Sequence, residues 1–314
     1  MKFTIGIPAY KAKFLTECID SILAQTYTDF ELIIVNDASP EDVDSIVKNY
    51  DDKRIRYYRN EKNFGAENVV DNWSKCLSFA KGEYFVLMGD DDKMEPNYLE
   101  EFTNLICKYP NLGIYHCRTK IIDEKSEFIT LTEARAEYES VYSMIWHRMN
   151  GALQYISDFV YHTETLITNG GFYKMPLAWG SDLISAYIAS IHKGIANTNK
   201  PVLNYRRSSS TISSTGSIDL KMKALLLGKK WISDYIADNN PQTEEDRMLA
   251  NMIEKRLSMY FVKQQIYTLC SYMQKTGVMR GFLWFMKSKS KLSFSFSGFL
   301  YCCIEYIKCK KINA

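Results

Sequence analysis

Short apolar runs alternate with helically spaced apolar positions along most of the chain before Ser208. Phe3 to Ile7 is an apolar run that stops at Pro8-Ala9-Tyr10, and Leu15, Ile19, Ile22 and Leu23 then share one face of a helix spanning about Phe14 to Gln25. Phe30 to Val35 repeats the strand pattern and halts at Asn36-Asp37-Ala38-Ser39-Pro40. A helix over about Glu41 to Tyr50 follows, with Ser39 as its expected cap and Pro40 in its first turn. Ile55 to Arg59 predicts a third strand, and Asn60-Glu61-Lys62-Asn63-Phe64-Gly65 leads to a helix ending near Ala80, with Val69, Val70, Trp73, Cys76 and Leu77 facing inward. Gly82 to Met88 suits a strand buried on both faces and stops at Gly89-Asp90-Asp91-Asp92. This alternation predicts right-handed crossovers and a doubly wound, mainly parallel α/β sheet.

The pattern becomes mixed further on. A helix is expected from Pro96 to about Tyr109, a strand over Leu112 to Ile122 with Phe128 to Leu131 beside it, a helix over Tyr138 to Met149, and a strand over Ile156 to Tyr161. The next helix stops at Asn169-Gly170-Gly171, and Ser181 or Asp182 opens another whose Leu183, Ile184, Tyr187, Ile188 and Ile191 face inward. Pro201 to Tyr205 is the last expected strand. The hydroxyl-rich run from Ser208 to Thr215 reads as a flexible boundary, dividing the chain into a domain at 1–215 and a helical extension at 216–314. Leu220 to Ala237 and Thr243 to Lys275 are expected as an antiparallel helical pair, followed by amphipathic segments at Met279 to Lys289 and Phe296 to Ile307.

At 314 residues and 46% hydrophobic, the chain is long enough for a substantial core, and its net charge of +2 argues against a general nucleic-acid binder. The balance hides an asymmetry: after Gly277, seven cations face only Glu305. That basic end is a candidate anchor for an anionic membrane surface, or equally a helical packing element or dimer contact. Leu292 to Ile304 is too short to span a bilayer and suited to lying on one. The eight cysteines show no zinc-ligand spacing, and most read as small core residues. The first residues lack a signal peptide's apolar region, so the expected location is the cytoplasm, with peripheral contact to the inner face of the membrane.

In a parallel sheet, Pro8 to Tyr10, Asn36 to Ser39, Asn60 to Gly65 and Asp90 to Asp92 all emerge at the carboxyl edge, where open α/β sheets bind ligands. Three adjacent carboxylates repel one another. They are hard oxygen donors suited to Mg²⁺ or Mn²⁺ completed by substrate phosphates, although such a triplet by itself also suits a solvated turn capping the next helix.

The order strand-Pro-Ala-Tyr, strand-Asn-Asp-Ala-Ser, Asn-x-Gly and Gly-Glu-Tyr-strand-Asp-Asp-Asp resembles glycosyltransferase family 2 over about Met1 to Ser214. The resemblance implies a GT-A fold with a C-terminal helical extension and inverting transfer from a nucleotide-sugar donor. By similarity, Pro8, Ala9 and Tyr10 form the first donor loop, with Tyr10 stacking on a base, usually uracil, and Asp37 accepting from the base's N–H. Asn63 belongs to the family's donor-side loop. Asp92 is implied as ligand of a divalent cation, Mn²⁺ or Mg²⁺, with Asp91 as second ligand or, with Asp90, as partner of ribose or sugar hydroxyls. Asp182 matches the family's base, or serves only as a helix-start acid; Trp179 is a sugar wall or a core anchor. Arg206 and Arg207 are candidates to close over the diphosphate, or simply solvated. The implied acceptor is a saccharide or lipid-linked hydroxyl in cell-surface polysaccharide synthesis, and no oligomeric state is implied.

Two positions depart from the family wording: Gly89 stands where many members place an acid, and Glu67, Asn68 and Asn72 occupy the helix where many carry an Arg. Two rival functions remain. A sugar-nucleotide nucleotidyltransferase shares the paired acids, but Pro8-Ala9-Tyr10-Lys11-Ala12-Lys13 lacks that class's Gly-rich loop. The other rival is a non-catalytic sugar-nucleotide-binding or scaffold protein. A dehydrogenase is disfavoured because no GxGxxG follows a strand, and the four histidines show no ligand spacing and read as structural.

Overall fold

The structure, a computed structural model, describes residues 1–208, 216–291 and 296–312. Its contacts separate two compact units, Met1–Ser214 and Thr215–Ala314.

The first unit is built on β1 (Phe3–Ala9), β2 (Phe30–Asn36), β3 (Ile55–Arg59) and β4 (Tyr84–Leu87), which lie side by side in the order β3-β2-β1-β4 and run parallel. Helices cover both faces. α1 (Leu15–Leu23) buries Leu15, Cys18, Ile19 and Ile22 in the cluster that holds Phe3, Ile5, Ile7 and Ala9 of β1. On the opposite face α3 (Val69–Ser78) packs on β1 and β2, with Cys76 over Gly6. Burying such an aliphatic side chain is worth roughly 1.5–3 kcal/mol, so these two layers fix the strands and therefore the edge where their loops emerge. That edge carries Tyr10, Asp37, Asn60 and Asp90, as the period of the apolar pattern predicts.

Beyond β4 the sheet continues as β9 (Phe159–His162), β6 (Ile114–Ile122), β10 (Ile195–Arg206) and β5 (Lys93–Met94). β9 runs antiparallel to both neighbours, β4 and β6, while β6 and β10 are parallel. β7 (Phe128–Leu131) pairs with β6 as expected, and β8 (Tyr138–Glu139) pairs with β10. Between these strands lie α4 (Tyr98–Lys108), α5 (Val141–Met149), α6 (Thr163–Thr168) and α7 (Ser181–Ser190).

Several expected boundaries shift for identifiable reasons. α2 (Val43–Lys48) is capped by Asp42, which accepts from Ser45 N, and not by Ser39; the Ser39 hydroxyl instead donates to Tyr10 O and ties the first two loops together. Tyr138 and Glu139 are strand, and the helix begins only where Ser140 accepts from Ser143 N. Ile156–Asp158 is a 3₁₀ turn ahead of β9 rather than part of the strand. In α7 the small residues Ser181, Ser185 and Ser190 are buried with Ile184 and Tyr187, while Leu183 and Ile188 are only half-buried. β10 starts at Ile195, ahead of the expected Pro201. The expected flexible run lies outside the described residues beyond Ser208.

The second unit comprises α8 (Ile218–Asp238), α9 (Glu244–Thr276), α10 (Val278–Ser288) and α11 (Phe296–Ile312). Thr243 caps α9 by accepting from Asp246 N, and α9 packs against the other three helices. Among the described residues no helix is long and apolar enough to cross a membrane.

Candidate active site

The chain leaves β4 at Leu87 and turns through three acids, each held differently. Asp90 Oδ2 accepts from the backbone N–H groups of Tyr10 (2.8 Å) and Lys11 (2.7 Å), binding the acid loop to the loop after β1. Asp91 Oδ2 lies 3.3 Å from Lys11 Nζ. Asp92 is 2% exposed; its Oδ1 accepts from Arg206 N at 3.0 Å and its Oδ2 from Ser157 Oγ at 2.8 Å. Ser157 Oγ also accepts from Gly89 N at 3.0 Å, so one buried hydroxyl braces both ends of the loop. A Cβ at position 89 would lie 2.8 Å from Asp92 Oδ2, which gives a physical reason for the glycine.

Burial pushes the Asp90 carboxyl up to about 6, with Asp91 adding to the effect against the Tyr10 and Lys11 N–H groups. Burial, and then Asp91, raises Asp92 well above the usual carboxylate range. Among the described residues no three His, Cys, Asp or Glu side chains form a metal cage. Mg²⁺-type sites need only one or two carboxylates when phosphates complete the shell. Asp92 and Asp91 offer hard oxygens whose crowded negative charge a cation would relieve, and on that donor chemistry they fit Mg²⁺ or Mn²⁺.

At the end of β2, Asp37 is buried and accepts through Oδ1 from Asn60 Nδ2 (2.8 Å) and Phe64 N (3.0 Å). Asn60 Nδ2 also reaches Asn72 Oδ1, and Asn60 Oδ1 is a buried acceptor without a partner among the described residues. Tyr10 is 41% exposed at the lip of this cluster. Of its neighbours, Ala9 has its methyl in the core and presents only backbone, its carbonyl accepting from Asp37 N at 2.9 Å; Pro8 is half-buried in β1. Asn63 is exposed, and its Oδ1 accepts from Gly65 N within its own loop.

Asp182 sits in the first turn of α7 behind a strained approach. Leu177 and Ala178 have φ of 59° and 53°, each costing roughly 1–3 kcal/mol for a non-glycine residue, and Gly180 supplies the left-handed N-cap at φ 88°. Trp179 is half-buried between them. Burial pushes the Asp182 carboxyl up to about 6, opposed by the Leu183 N–H and the Arg148 guanidinium. Buried Asp158 raises both Asp182 and Asp92, so the two acids share a neighbourhood although they come from distant parts of the chain. Tyr205, stacked on Tyr155 with ring centroids 3.6 Å apart, lies within electrostatic reach of Asp92, Asp91 and Asp182.

Arg206 is placed otherwise than its position at a loop start suggests. It is 1% exposed, its guanidinium donating to Asp91 O, Asp123 O, Ser126 Oγ and Glu17 and lying 4.2 Å over the Phe14 ring. Its fork is thus spent on the scaffold beneath the acid loop; Arg207 is exposed. Ser157 and Asp158 escaped sequence reasoning because no spacing marks them, and Asn60 was placed at the site edge only as part of its loop. The first two sit in a stretch whose apolar pattern reads as strand.

A polar cluster and an acid loop on one edge of a doubly wound sheet place the first unit in the GT-A class of fold. S. aureus TarS 1–349, in a crystal structure with UDP-GlcNAc, matches at a TM-score of 0.63 and 17% identity, covering 87% of this chain and 81% of that one. The model of glycosyl transferase family 2 matches residues 4–169, and the chain belongs to that family. Among relatives, an uncharacterized glycosyltransferase of Rickettsia typhi is 24% identical across 91% of this chain and 96% of its own length. Another from Rickettsia prowazekii is 34% identical over 43% of this chain and 42% of its own length. The reaction class is therefore glycosyl transfer from a nucleotide-sugar.

Proposed function

We propose that the protein is an inverting enzyme that moves a sugar from a UDP-sugar to a hydroxyl of a saccharide or lipid-linked acceptor in cell-surface polysaccharide synthesis. The observation that carries this reading is the family match over residues 4–169 on an edge where Asp90 ties the acid loop to the Tyr10 and Lys11 N–H groups. The UDP-GlcNAc and UDP complexes of S. aureus TarS support the choice of donor.

Tyr10 stacks on the uracil face, and Asp37 with the unpartnered Asn60 Oδ1 accepts from the ring's N–H. The Lys11 ammonium brings positive charge to the diphosphate side, Asn63 lines the mouth, and Asp90, which takes up the Tyr10 and Lys11 N–H groups, keeps this loop in register with the acids. Asp92, with Asp91 beside it, would hold Mn²⁺ or Mg²⁺, which offsets charge on the departing diphosphate. Asp182 takes the acceptor's proton as the acceptor oxygen bonds to C1 from the face opposite the diphosphate. As that bond forms, the C1–oxygen bond to the diphosphate breaks and the nucleoside diphosphate leaves with its electron pair. Trp179 gives the acceptor ring an apolar wall. The basic C-terminal unit keeps the enzyme at the inner face of the membrane, near lipid-linked acceptors. A donor screen scored by nucleoside diphosphate release, with and without chelator, tests the reading. Release from a UDP-sugar that chelator stops is expected; pyrophosphate release, or no turnover of any donor, overturns it.

A further inference from the structure

The helices of the second unit bury one face and leave a second, equally ordered apolar face outside. In α10 the buried positions are Gly281, Phe285 and Ser288, and in α11 they include Phe299 and Cys302; Phe285 and Phe299 stack with centroids 5.0 Å apart. Packing therefore fixes how each helix is turned. On the other side of α10, Met279, Leu283 and Met286 follow at spacings of four and three, form one stripe, and are 42–71% exposed. Arg280 and Lys287, also exposed, each stand one position after a stripe residue and so border the same edge of it. α11 repeats the design: Phe296, Leu300, Ile304 and Ile307 form an exposed stripe, with Tyr301 and Lys308 one position after two of them.

Charge selects what covers these stripes. α10 contains no acid, and Glu305, the one acid after Gly277, is paired with Lys308 at 2.7 Å. A second copy docking about a twofold axis would set this cationic edge against itself, and lysines are depleted at protein interfaces. An apolar stripe with a cationic border and an aromatic hydroxyl beside it instead suits the boundary between acyl chains and anionic headgroups.

We infer that α10 and α11 lie in the plane of an anionic bilayer, their stripes in the acyl boundary and Arg280 and Lys287 on the headgroups. This rests on the peripheral membrane placement proposed above and names the residues that make it. The test is flotation of the full chain with vesicles of phosphatidylcholine alone or mixed with phosphatidylglycerol, alongside the oligomeric state by light scattering. Wild type should float with the mixed vesicles and not with the neutral ones. Arg280→Gln/Lys287→Gln should weaken partitioning about 30-fold, at about 1 kcal/mol per cation, and Leu283→Glu/Ile304→Glu should abolish it with an unchanged circular dichroism spectrum. Failure to float with mixed vesicles, equal flotation with neutral ones, or undiminished flotation of either variant overturns the inference. So does a wild-type dimer that the glutamate variant splits. Nucleoside diphosphate release measured on the same samples separates the two readings: turnover without flotation removes only the membrane, and flotation without turnover removes only the enzyme.

Discussion

Arg206→Ala should cost the fold far more than it costs donor affinity. The guanidinium is buried and donates to Asp91 O at 2.9 Å, Ser126 Oγ at 3.0 Å, Asp123 O at 3.1 Å and Glu17 at 2.9 Å. Glu17 is 44% exposed, so its ion-pair share is small; the loss comes from three neutral acceptors left without their charged donor and from the emptied space over Phe14. Hydrogen bonds to charged groups contribute roughly 1.5–3 kcal/mol each but do not add, and removing a buried charged partner typically costs about 3–5 kcal/mol. For a unit of this size each kcal/mol lowers the melting temperature by about 2–4 °C, so a fall of roughly 6–20 °C is expected. Arg206→Lys, keeping the charge and losing the fork, should fall between. Circular dichroism melts and calorimetric titration with UDP read the two effects separately. An Ala variant that melts with the wild type while binding UDP much more weakly refutes the scaffold assignment and returns Arg206 to the diphosphate.

Three further outcomes follow from the same geometry. Ser157→Ala removes the hydroxyl that donates to Asp92 and should weaken Mn²⁺ binding about 10–100-fold by electron paramagnetic resonance; an unchanged dissociation constant contradicts the bracing role. Gly89→Asp, which restores the common family residue, should also weaken Mn²⁺ binding, because its Cβ meets Asp92 Oδ2; equal or tighter binding would show that the loop accommodates it. Asp182 has a folded pKa raised to about 6, so the folded state binds the extra proton, and the stability this confers is full at low pH and lost as pH rises through about 6. Asp182→Asn should therefore melt higher than wild type at pH 8, by up to about 3 kcal/mol of stability, and show no gain at pH 4. Wild-type kcat/KM should in turn fall about tenfold per pH unit below that pKa.

The parallel half of the sheet was legible because each strand is a short apolar run with a hard stop: Pro8 to Tyr10, Asn36 to Pro40, and the acids after Gly89. Parallel order then carried those loops to one edge without any knowledge of contacts. The reversal of β9 was not legible, since strand direction is set by long-range pairing with β4 and β6 and leaves no local pattern. The burial of Arg206 was hidden for the same reason: its partners at Glu17, Asp91 and Asp123 are remote in sequence, and a cation at a loop start looks solvated until the loops are assembled. Ser157 is the sharpest omission. Ile156 beside it extends the apolar pattern of the strand that starts at Phe159, while the hydroxyl gains meaning only from Gly89 and Asp92 across the sheet.

The central claim, a base at Asp182 working across from the acid loop, is tested most directly by single-turnover transfer with Asp182→Asn beside calorimetric UDP binding. UDP affinity should stay at the wild-type value while the transfer rate falls by about 10²–10⁴. Wild-type transfer by the Asn variant would contradict it.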